Sequence, residues 1–343
     1  SEYYLLQFSA CANTLQNHFN SWKQSEQMLL LYERVLGHLS KHKAQINVLF
    51  KLLHFQPDNE SYLSQLSLIT KATGLREYLF DKCDSVSETD YMQAWPYLAK
   101  APFYERYNDE TYHAAIKNYD ALIATDPENW NYYFQKGEFI YLSITSRALD
   151  DDFRATRRKV AISALEKSLE LNPDHFYTYN YLNRITMWSN STECKRYRKM
   201  AIAAMHKKAH RNKPNPQYYF ELAEAYDLPL NGYGSSSLTK DSVLKYYNLA
   251  LIHGMDSSTI IAERRHVYAA LHNYEASNKD HYWMANHTTN AKSKIHYYYA
   301  IANNYSAMKQ PAKAKEMLLK IKELDPNEQS ISRRLREVEK ELK

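Results

Sequence analysis

Four turns of similar composition recur along the chain, each directly after an apolar stretch with helical spacing. Their prolines are Pro57, Pro127, Pro173 and Pro326, and polar residues such as Asp, Asn, Gln or Glu surround each one. Proline cannot continue a helix and disfavours helical geometry in the residue before it, while a neighbouring Asp or Asn can cap the next helix. Each turn therefore predicts the end of one helix and the start of another, and their recurrence indicates a repeat protein.

The residues around these turns keep a fixed register. Ala115, Ala161 and Ala314 each lie twelve residues before a proline, and Tyr or Leu follows each of them four residues later. A small residue lets two helices approach closely, and the larger side chain fills the neighbouring groove. The pattern therefore predicts antiparallel helix pairs that must stack to bury their apolar faces. The most complete unit contains Tyr298, Ile301, Ala302, Tyr305, Ala314, Leu318, Ile321 and Pro326.

This order resembles the tetratricopeptide repeat. The first helix of that repeat carries an aromatic residue, Leu-Gly and Tyr, and the second carries Ala, a Phe-like residue and a closing Pro. The match is partial elsewhere: Gly137 pairs with Ala161 and Leu165 only across twelve extra residues. In another unit, Asn183 and Thr186 stand where a small residue and an aromatic residue belong. The resemblance implies an all-α fold, a right-handed α-solenoid of stacked antiparallel helix pairs with a C-terminal capping helix.

Composition agrees with a helical array. Only 6 of the 343 residues are Gly, 44% are hydrophobic, and alternating β-branched runs are almost absent. We expect divergent helical repeats in residues 1–109, assigned by extension, tetratricopeptide-like repeats in 110–327 and a capping helix in 328–343. The repeats contain inserts near 142–160 and 228–241, which are either recognition elements or structural extensions.

The sequence also bears on location. It has no apolar run of the ~18 residues that a membrane-spanning helix needs. Cys11, Cys83 and Cys194 are scattered without metal or disulfide spacing. We therefore expect a soluble, cytoplasmic protein without membrane insertion. Because the numbering begins at Ser1, and the segment from Phe8 to Cys11 loosely resembles a lipoprotein processing site, a removed leader or lipid anchor stays an open alternative.

Two histidine pairs have the spacing of metal ligands on a helix. His38 with His42, and His206 with His210, stand four residues apart, but neither pair has the Glu of an H-E-x-x-H motif or an obvious third ligand. Phosphate-binding Gly-rich loops, G-x-S-x-G elbows and Cys-His signatures do not occur. We therefore expect no enzyme activity, no cofactor and no small-molecule substrate.

The family resemblance also implies where a partner binds. In tetratricopeptide-like solenoids, the second, fifth, ninth and twelfth positions of each unit face the concave groove. These positions hold Asn131, Phe134, Glu138 and Tyr141; Tyr177, Asn180, Arg184 and Met187; Gln217, Phe220, Glu224 and Asp227; and His296, Tyr299, Asn303 and Ser306. The Lys and Asn clamp that some relatives use for chaperone tails is absent at the fifth and ninth positions. A slip of the register would place some of these aromatic residues in the core instead.

Positive charge is concentrated in one segment. Residues 195–220 contain no acidic residue. The basic stripe consists of Lys195, Arg196, Arg198, Lys199, Lys207, Lys208, Arg211 and Lys213. One interpretation is a surface for nucleic acid or an acidic partner. The other is a solvated outer helix face, with Met200, Ala201, Ala203 and Ala204 packed inward.

Three functional hypotheses follow. The first is a non-catalytic scaffold or adaptor that binds a peptide or protein partner through the concave face, in an inhibitor, immunity, assembly or chaperone role. The second is a nucleic-acid-binding solenoid that uses the basic stripe. The third is a metal-dependent hydrolase.

Overall fold

The computed structural model describes residues 2–18, 25–90, 92–106, 108–145, 151–187, 191–211, 215–228, 237–328 and 330–342. Regular structure within these ranges is helical, as the sequence predicts. The chain divides into two compact units, Ser1–Pro173 and Asp174–Lys343. We call them unit 1 and unit 2.

Unit 1 contains nine described α-helices and one short 3₁₀ turn, Ala101–Phe103. The helices are α1 Glu2–Asn17, α2 Glu26–His38, α3 His42–Phe55, α4 Glu60–Thr73, α5 Arg76–Thr89, α6 Trp95–Lys100, α7 Asp109–Thr125, α8 Trp130–Ile144 and α9 Asp151–Leu171. Pairs that are adjacent in sequence pack on each other, most extensively α8 with α9 and α2 with α3.

Unit 2 contains nine further described helices. They are α10 Phe176–Thr186, α11 Ser191–Arg211, α12 Pro216–Asp227, α13 Ser237–Ile252, α14 Ser257–Ala270, α15 Tyr274–His287, α16 Ala291–Ala307, α17 Pro311–Leu324 and α18 Ile331–Glu341. The most extensive packing again joins successive helices, in the pairs α10 with α11, α12 with α13, α14 with α15, α15 with α16 and α16 with α17. The predicted fold of antiparallel helix pairs is therefore confirmed within each unit.

Local chemistry sets the helix boundaries. Helices α3, α7, α9 and α17 each end two residues before one of the four turn prolines. The Asn59 side chain then caps α4 by accepting hydrogen bonds from the Ser61 and Tyr62 amides, at 3.0 and 3.1 Å. Such a cap satisfies amide groups that a helix N-terminus otherwise leaves without partners. The side chains of Asn108, Asn129, Asn215, Asp256, Asn273 and Asn290 cap later helices in the same way.

The predicted pocket between paired helices is present in α8 and α9. A Cβ atom added at Gly137 would lie 2.5 Å from Leu165 Cγ and 3.4 Å from the Ala161 carbonyl oxygen. Real Cβ atoms do not approach other atoms this closely, so glycine is required for the two helices to meet here. The predicted pairing across the insert is confirmed.

The last complete repeat, formed by α16 and α17, also follows the prediction. Ile301, Ala302, Ala314, Leu318 and Ile321 are all buried and form one core cluster, with partly buried tyrosines packed against it. Helix α18 adds Ile331 and Val338 to this cluster. The last helix therefore covers an apolar face that α16 and α17 leave open.

The predicted inserts contain more helix than loop in the part of the chain that the structure describes. Helix α8 continues to Ile144 and α9 begins at Asp151, so the insert near 142–160 mainly lengthens this pair. Residues 146–150 lie outside the described residues, as do 229–236 of the second insert, where α13 begins at Ser237. The boundaries at 109/110 and 327/328 and the handedness of the array stay predictions.

Two helix pairs differ from the repeat pattern in their cores. Asn183, at a position for a small residue, is fully buried and donates through Nδ2 to the Cys194 carbonyl oxygen at 3.0 Å. It therefore ties α10 to α11 with a hydrogen bond where other pairs use close packing. The pair α14–α15 was not predicted at all, and the buried residues of α15 are mostly polar.

Candidate functional site

Three of the predicted groove residues lie together on the wall of one cavity in unit 1. Asn131, Phe134 and Glu138 project from α8 into a space of about 1120 Å³. Helix α4 and residues 98–106 supply the other walls. Tyr141, the fourth predicted groove residue of α8, is partly buried and does not line the cavity.

The lining of this cavity combines apolar surface with an excess of negative charge. Leu63, Leu68, Leu98, Pro102 and Phe139 add to the apolar surface of Phe134. The charged lining residues are Glu60, Glu105, Glu138 and Arg106, which are three carboxylates and one guanidinium. A concave apolar space with a few polar groups is the usual form of a ligand site in proteins.

Two tyrosines at this cavity stay protonated over the physiological pH range. Burial raises the pKa of Tyr104 to about 12, and the carboxylate of Asp84 contributes to the shift. Burial likewise raises the pKa of Tyr119, with Glu138 adding to the shift and Arg106 opposing it. Both phenols are therefore neutral groups that can donate hydrogen bonds.

The predicted groove residues of α10 and α12 form a second cluster, in unit 2. Arg184 donates through Nε to Asn180 Oδ1 at 2.8 Å. Glu224 accepts a hydrogen bond from the Tyr247 hydroxyl on α13. Burial raises the Glu224 pKa to about 7, with the charges of Glu263 and Asp227 adding to the shift and Arg184 opposing it.

The remaining groove predictions have mixed outcomes. Tyr177 is 45% exposed, and Gln217 donates to Glu221 at 3.2 Å. Phe220 is partly buried against the core cluster of α12 and α13, its ring 5.9 Å from the ring of Tyr247, and its place in an open groove stays a prediction. Met187 is partly buried at the end of α10.

Helix α18 contacts two of the four predicted groove residues of α16, Tyr299 and Asn303, and Asn303 remains exposed. Arg334 donates through Nη1 to Asn303 Oδ1 at 3.0 Å, and its guanidinium lies 4.9 Å from the centre of the Tyr299 ring. The Tyr299 hydroxyl lies 2.6 Å from Ser330 Oγ. Contacts within the protein therefore engage both side chains, and their role in partner binding stays a prediction.

The basic stripe is less continuous than the sequence suggests. Arg198 is only 9% exposed and donates to the Tyr226 carbonyl, so it does not belong to an exposed surface. Arg196 pairs with Glu193 at 2.6 Å, and Lys208 pairs with Glu221 at 2.8 Å. The stripe residues that are exposed without an ion pair among the described residues are Lys195, Lys199 and Lys207.

Two other expectations about this helix also change. Met200 is 39% exposed and Ala203 is exposed, so the predicted inward packing of these two residues is wrong. The buried face of α11 consists instead of Cys194, Tyr197, Arg198, Ala201 and Met205. The side chain of Arg211 and the whole of Lys213 lie outside the described residues.

Sequence reasoning missed the polar core of α14, α15 and α16. Arg265, Ser277 and His281 keep the spacing of twelve and four residues found at Ala302, Ala314 and Leu318. Two small residues and a leucine are thus replaced by a cation, a hydroxyl and an imidazole. The spacing was the available signal, but the residue types concealed it.

Hydrogen bonds organise most of this polar core. Arg264 donates to both carboxylate oxygens of Asp280, at 2.9 and 2.8 Å, and to Asn248 at 3.0 Å. Asn304 on α16 donates to Ser277 at 3.1 Å and to Asn278 at 2.9 Å. These bonds satisfy side chains that would otherwise be costly to bury.

Two histidines of this core, His266 and His281, have a lowered pKa. Burial, together with the smaller effect of the nearby Arg265 cation, lowers the pKa of His281 to about 3. Burial and Arg265 also lower the pKa of His266. Within the described residues, no group of three or more His, Cys, Asp or Glu side chains could hold a metal ion.

The sequence itself matches no protein-family model and no curated protein. Solved structures resemble it. A chain of the APC/C hetero-tetramer Cut9–Hcn1 is 17% identical with a TM-score of 0.46, over 96% of this chain and 59% of that chain. This chain therefore spans less than two thirds of that relative.

Two further structures are described as tetratricopeptide-repeat proteins. One, from Parabacteroides merdae, is 11% identical with a TM-score of 0.43, over 92% of this chain and 99% of that one. The other is the C-terminal part of a protein from Cytophaga hutchinsonii, 14% identical with a TM-score of 0.46, over 80% of this chain and 99% of that one. The described helices of our chain are all too short or too polar to cross a bilayer.

Proposed function

We propose that this protein is a non-catalytic scaffold or adaptor that binds a peptide segment of a protein partner in the cavity of unit 1. The observation that carries the proposal is the shared wall formed by Asn131, Phe134 and Glu138 opposite the apolar residues of α4. A space of about 1120 Å³ accommodates several side chains of an extended or helical segment.

The charges of the cavity favour a basic, partly apolar segment. With three carboxylates against one guanidinium in the lining, a Lys or Arg side chain of the partner gains favourable electrostatic contacts. Phe134 and the leucines around it provide apolar contact for a neighbouring side chain. Inhibitor, immunity, assembly and chaperone roles are all compatible with such binding.

Fluorescence polarisation with labelled peptides of about ten residues tests the proposal. One peptide alternates leucine with lysine, a second leucine with glutamate, and a third serine with lysine. We expect the leucine–lysine peptide to bind most tightly. Phe134→Ala should weaken its binding by about tenfold or more, because aromatic anchors dominate such interfaces. Glu138→Lys should weaken it and favour the glutamate peptide.

Matched surface variants serve as controls. Phe153 on α9 is 51% exposed and outside the cavity, and Glu110 on α7 is exposed. Phe153→Ala and Glu110→Lys should leave peptide binding unchanged. Equal binding of all three peptides, or the same affinity for Phe134→Ala and Phe153→Ala, would contradict the proposal.

The described residues support the nucleic-acid hypothesis less than the peptide-binding one. Of the eight cations in the basic stripe, one is buried, two are ion-paired and two have side chains outside the described residues. Three exposed lysines make few phosphate contacts, which is why peptide binding is the function we propose.

A further inference from the structure

Two adjacent arginines of α14 have opposite surroundings. Arg264 forms a two-bond ion pair with Asp280. The Nε and Nη1 atoms of Arg265 are buried and have no hydrogen-bond partner among the described residues. A buried charged donor without an acceptor is one of the costliest features that a folded protein can contain. Arg265 thus carries donors that a bound acceptor would satisfy.

The imidazole next to Arg265 also has a buried nitrogen atom that lacks a hydrogen-bond partner. His281 is only 4% exposed, and its Nδ1 atom is buried with no hydrogen-bond partner in the described part of the chain. The ring of Tyr297 lies 5.4 Å from the Arg265 guanidinium and 6.1 Å from the His281 ring. Two unsatisfied nitrogen-bearing side chains and an aromatic ring therefore meet where α14, α15 and α16 pack.

Two further imidazoles lie at the protein surface next to this site. His266 and His296 are exposed, and the His266 ring lies 6.4 Å from the His281 ring. The negative groups that act on His266 are Glu263 and Asp227, and the positive ones are Arg265 and His296. The electrostatic effects on His281 itself come from Arg265, His266 and His296, all of which oppose its protonation.

We infer that Arg265 and His281 form a binding site for a carboxylate group. A guanidinium donates strongly to planar oxyanions, and a neutral imidazole can add one further N–H donor. Because Arg265 is the one permanent cation of the cluster, charge balance favours a monoanion over a phosphate dianion. The site lies at positions between paired helices, not at the fifth and ninth groove positions, and it does not depend on the cavity of unit 1.

Thermal unfolding of the full chain tests the inference with acetate as the probe. Sodium acetate, phosphate and chloride are compared at one pH and one ionic strength. We expect acetate to raise the Tm of the wild-type protein by about 2–4 °C over chloride at saturation. Arg265→Gln should abolish this difference. Arg196→Gln, at an exposed surface arginine of the same unit, should keep it.

The other outcomes of these measurements would overturn either the site or the assignment of its ligand. No excess stabilisation of the wild type by acetate over chloride, or the same excess in Arg265→Gln, would overturn the site. Stabilisation by phosphate and not by acetate would overturn the assignment of the ligand as a carboxylate. If Arg265→Gln does not fold, the imidazole ¹⁵N resonances of wild-type His281 replace it: a saturable shift with acetate supports the site, and no shift overturns it.

A structural role alone predicts a different result. If Arg265 serves only packing, Arg265→Met removes a buried charge and raises the Tm without changing the response to acetate. We expect Arg265→Met to fold and to lose the acetate response.

Discussion

The Tyr247 hydroxyl of α13 donates a hydrogen bond to the carboxylate of Glu224 on α12. Tyr247 itself is only 1% exposed, so this bond links the two helices within their shared core. The pKa of this carboxyl group is raised in spite of the bond, because burial is the largest influence on it.

Glu224 should make the stability of unit 2 depend on pH. Its pKa rises from an ordinary 4.5 to about 7 in the folded protein. Between these values the folded state binds a proton that the unfolded state has released, so stability falls as pH rises and stays low above pH 7. Glu224→Gln keeps the acceptor for Tyr247 and removes the charge. We expect it to stabilise unit 2 on the order of 3 kcal/mol at pH 8 and little at pH 4.5.

Urea unfolding at both pH values measures this difference. Glu323→Gln, at an exposed glutamate of α17, is the control and should show no such pH dependence. An effect of Glu224→Gln that is equal at both pH values would show that its carboxyl group does not titrate differently in the folded state.

Gly137→Ala should destabilise unit 1. The added Cβ would meet Leu165 Cγ at 2.5 Å and Cδ2 at 2.7 Å in a fully buried contact. Overpacking of this kind costs about 1–3 kcal/mol, partly offset by the higher helix propensity of alanine. Leu165→Val in the same chain should recover part of the loss. A double-mutant cycle from denaturant unfolding measures the coupling, and strict additivity of the two changes would contradict the close contact.

The ion pair between Arg264 and Asp280 should be much more important than a surface pair. Their side chains are 18% and 7% exposed, whereas Lys315 and Glu339 are 35% and 47% exposed. Breaking a buried pair leaves an uncompensated charge and costs about 3–5 kcal/mol. We therefore expect Asp280→Ala to lower the free energy of unfolding by that amount. Glu339→Ala should cost less than about 1 kcal/mol. Similar losses in the two variants would be evidence against the difference.

Binding to single-stranded RNA should be weak and only mildly sensitive to salt. With three exposed lysines available, the logarithm of the binding constant should fall with the logarithm of salt concentration with a slope of about −2. The triple variant Lys195→Gln, Lys199→Gln and Lys207→Gln should remove this residual binding. A slope near −5 or steeper would show that more of the basic stripe contacts nucleic acid than the structure supports.

The ends of several helices were predictable because residues next to them in sequence determine where a helix stops. Each turn proline acts on the residues next to it, so the ends of α3, α7, α9 and α17 followed directly from the sequence. Asp256 also caps α14 locally, by accepting from the Thr259 amide at 2.9 Å. The pair α14–α15 was missed because no proline marks it and because Arg265 and His281 replace the apolar residues of the pattern.

The candidate site was predictable only in part. A face of one helix follows from spacing, so Asn131, Phe134 and Glu138 could be identified together. Their opposite wall could not, because Leu63 and Leu98 come from helices far away in sequence and meet α8 only through tertiary packing. The same applies to Arg334, whose contact with Asn303 is decided by the placement of α18.

The asparagine and aspartate caps place the information for seven of the described helix starts within three residues of the start. A whole helix pair could therefore be duplicated or deleted in a gene without changing where the other helices begin. Arrays of this kind can change their length in evolution by unequal recombination, and the joints between pairs, rather than the pairs themselves, are the places where such events are tolerated. The same property would let an engineer exchange the pair α14–α15 for an apolar one, provided that Asn304 on α16, which donates to Ser277 and Asn278, is replaced with it.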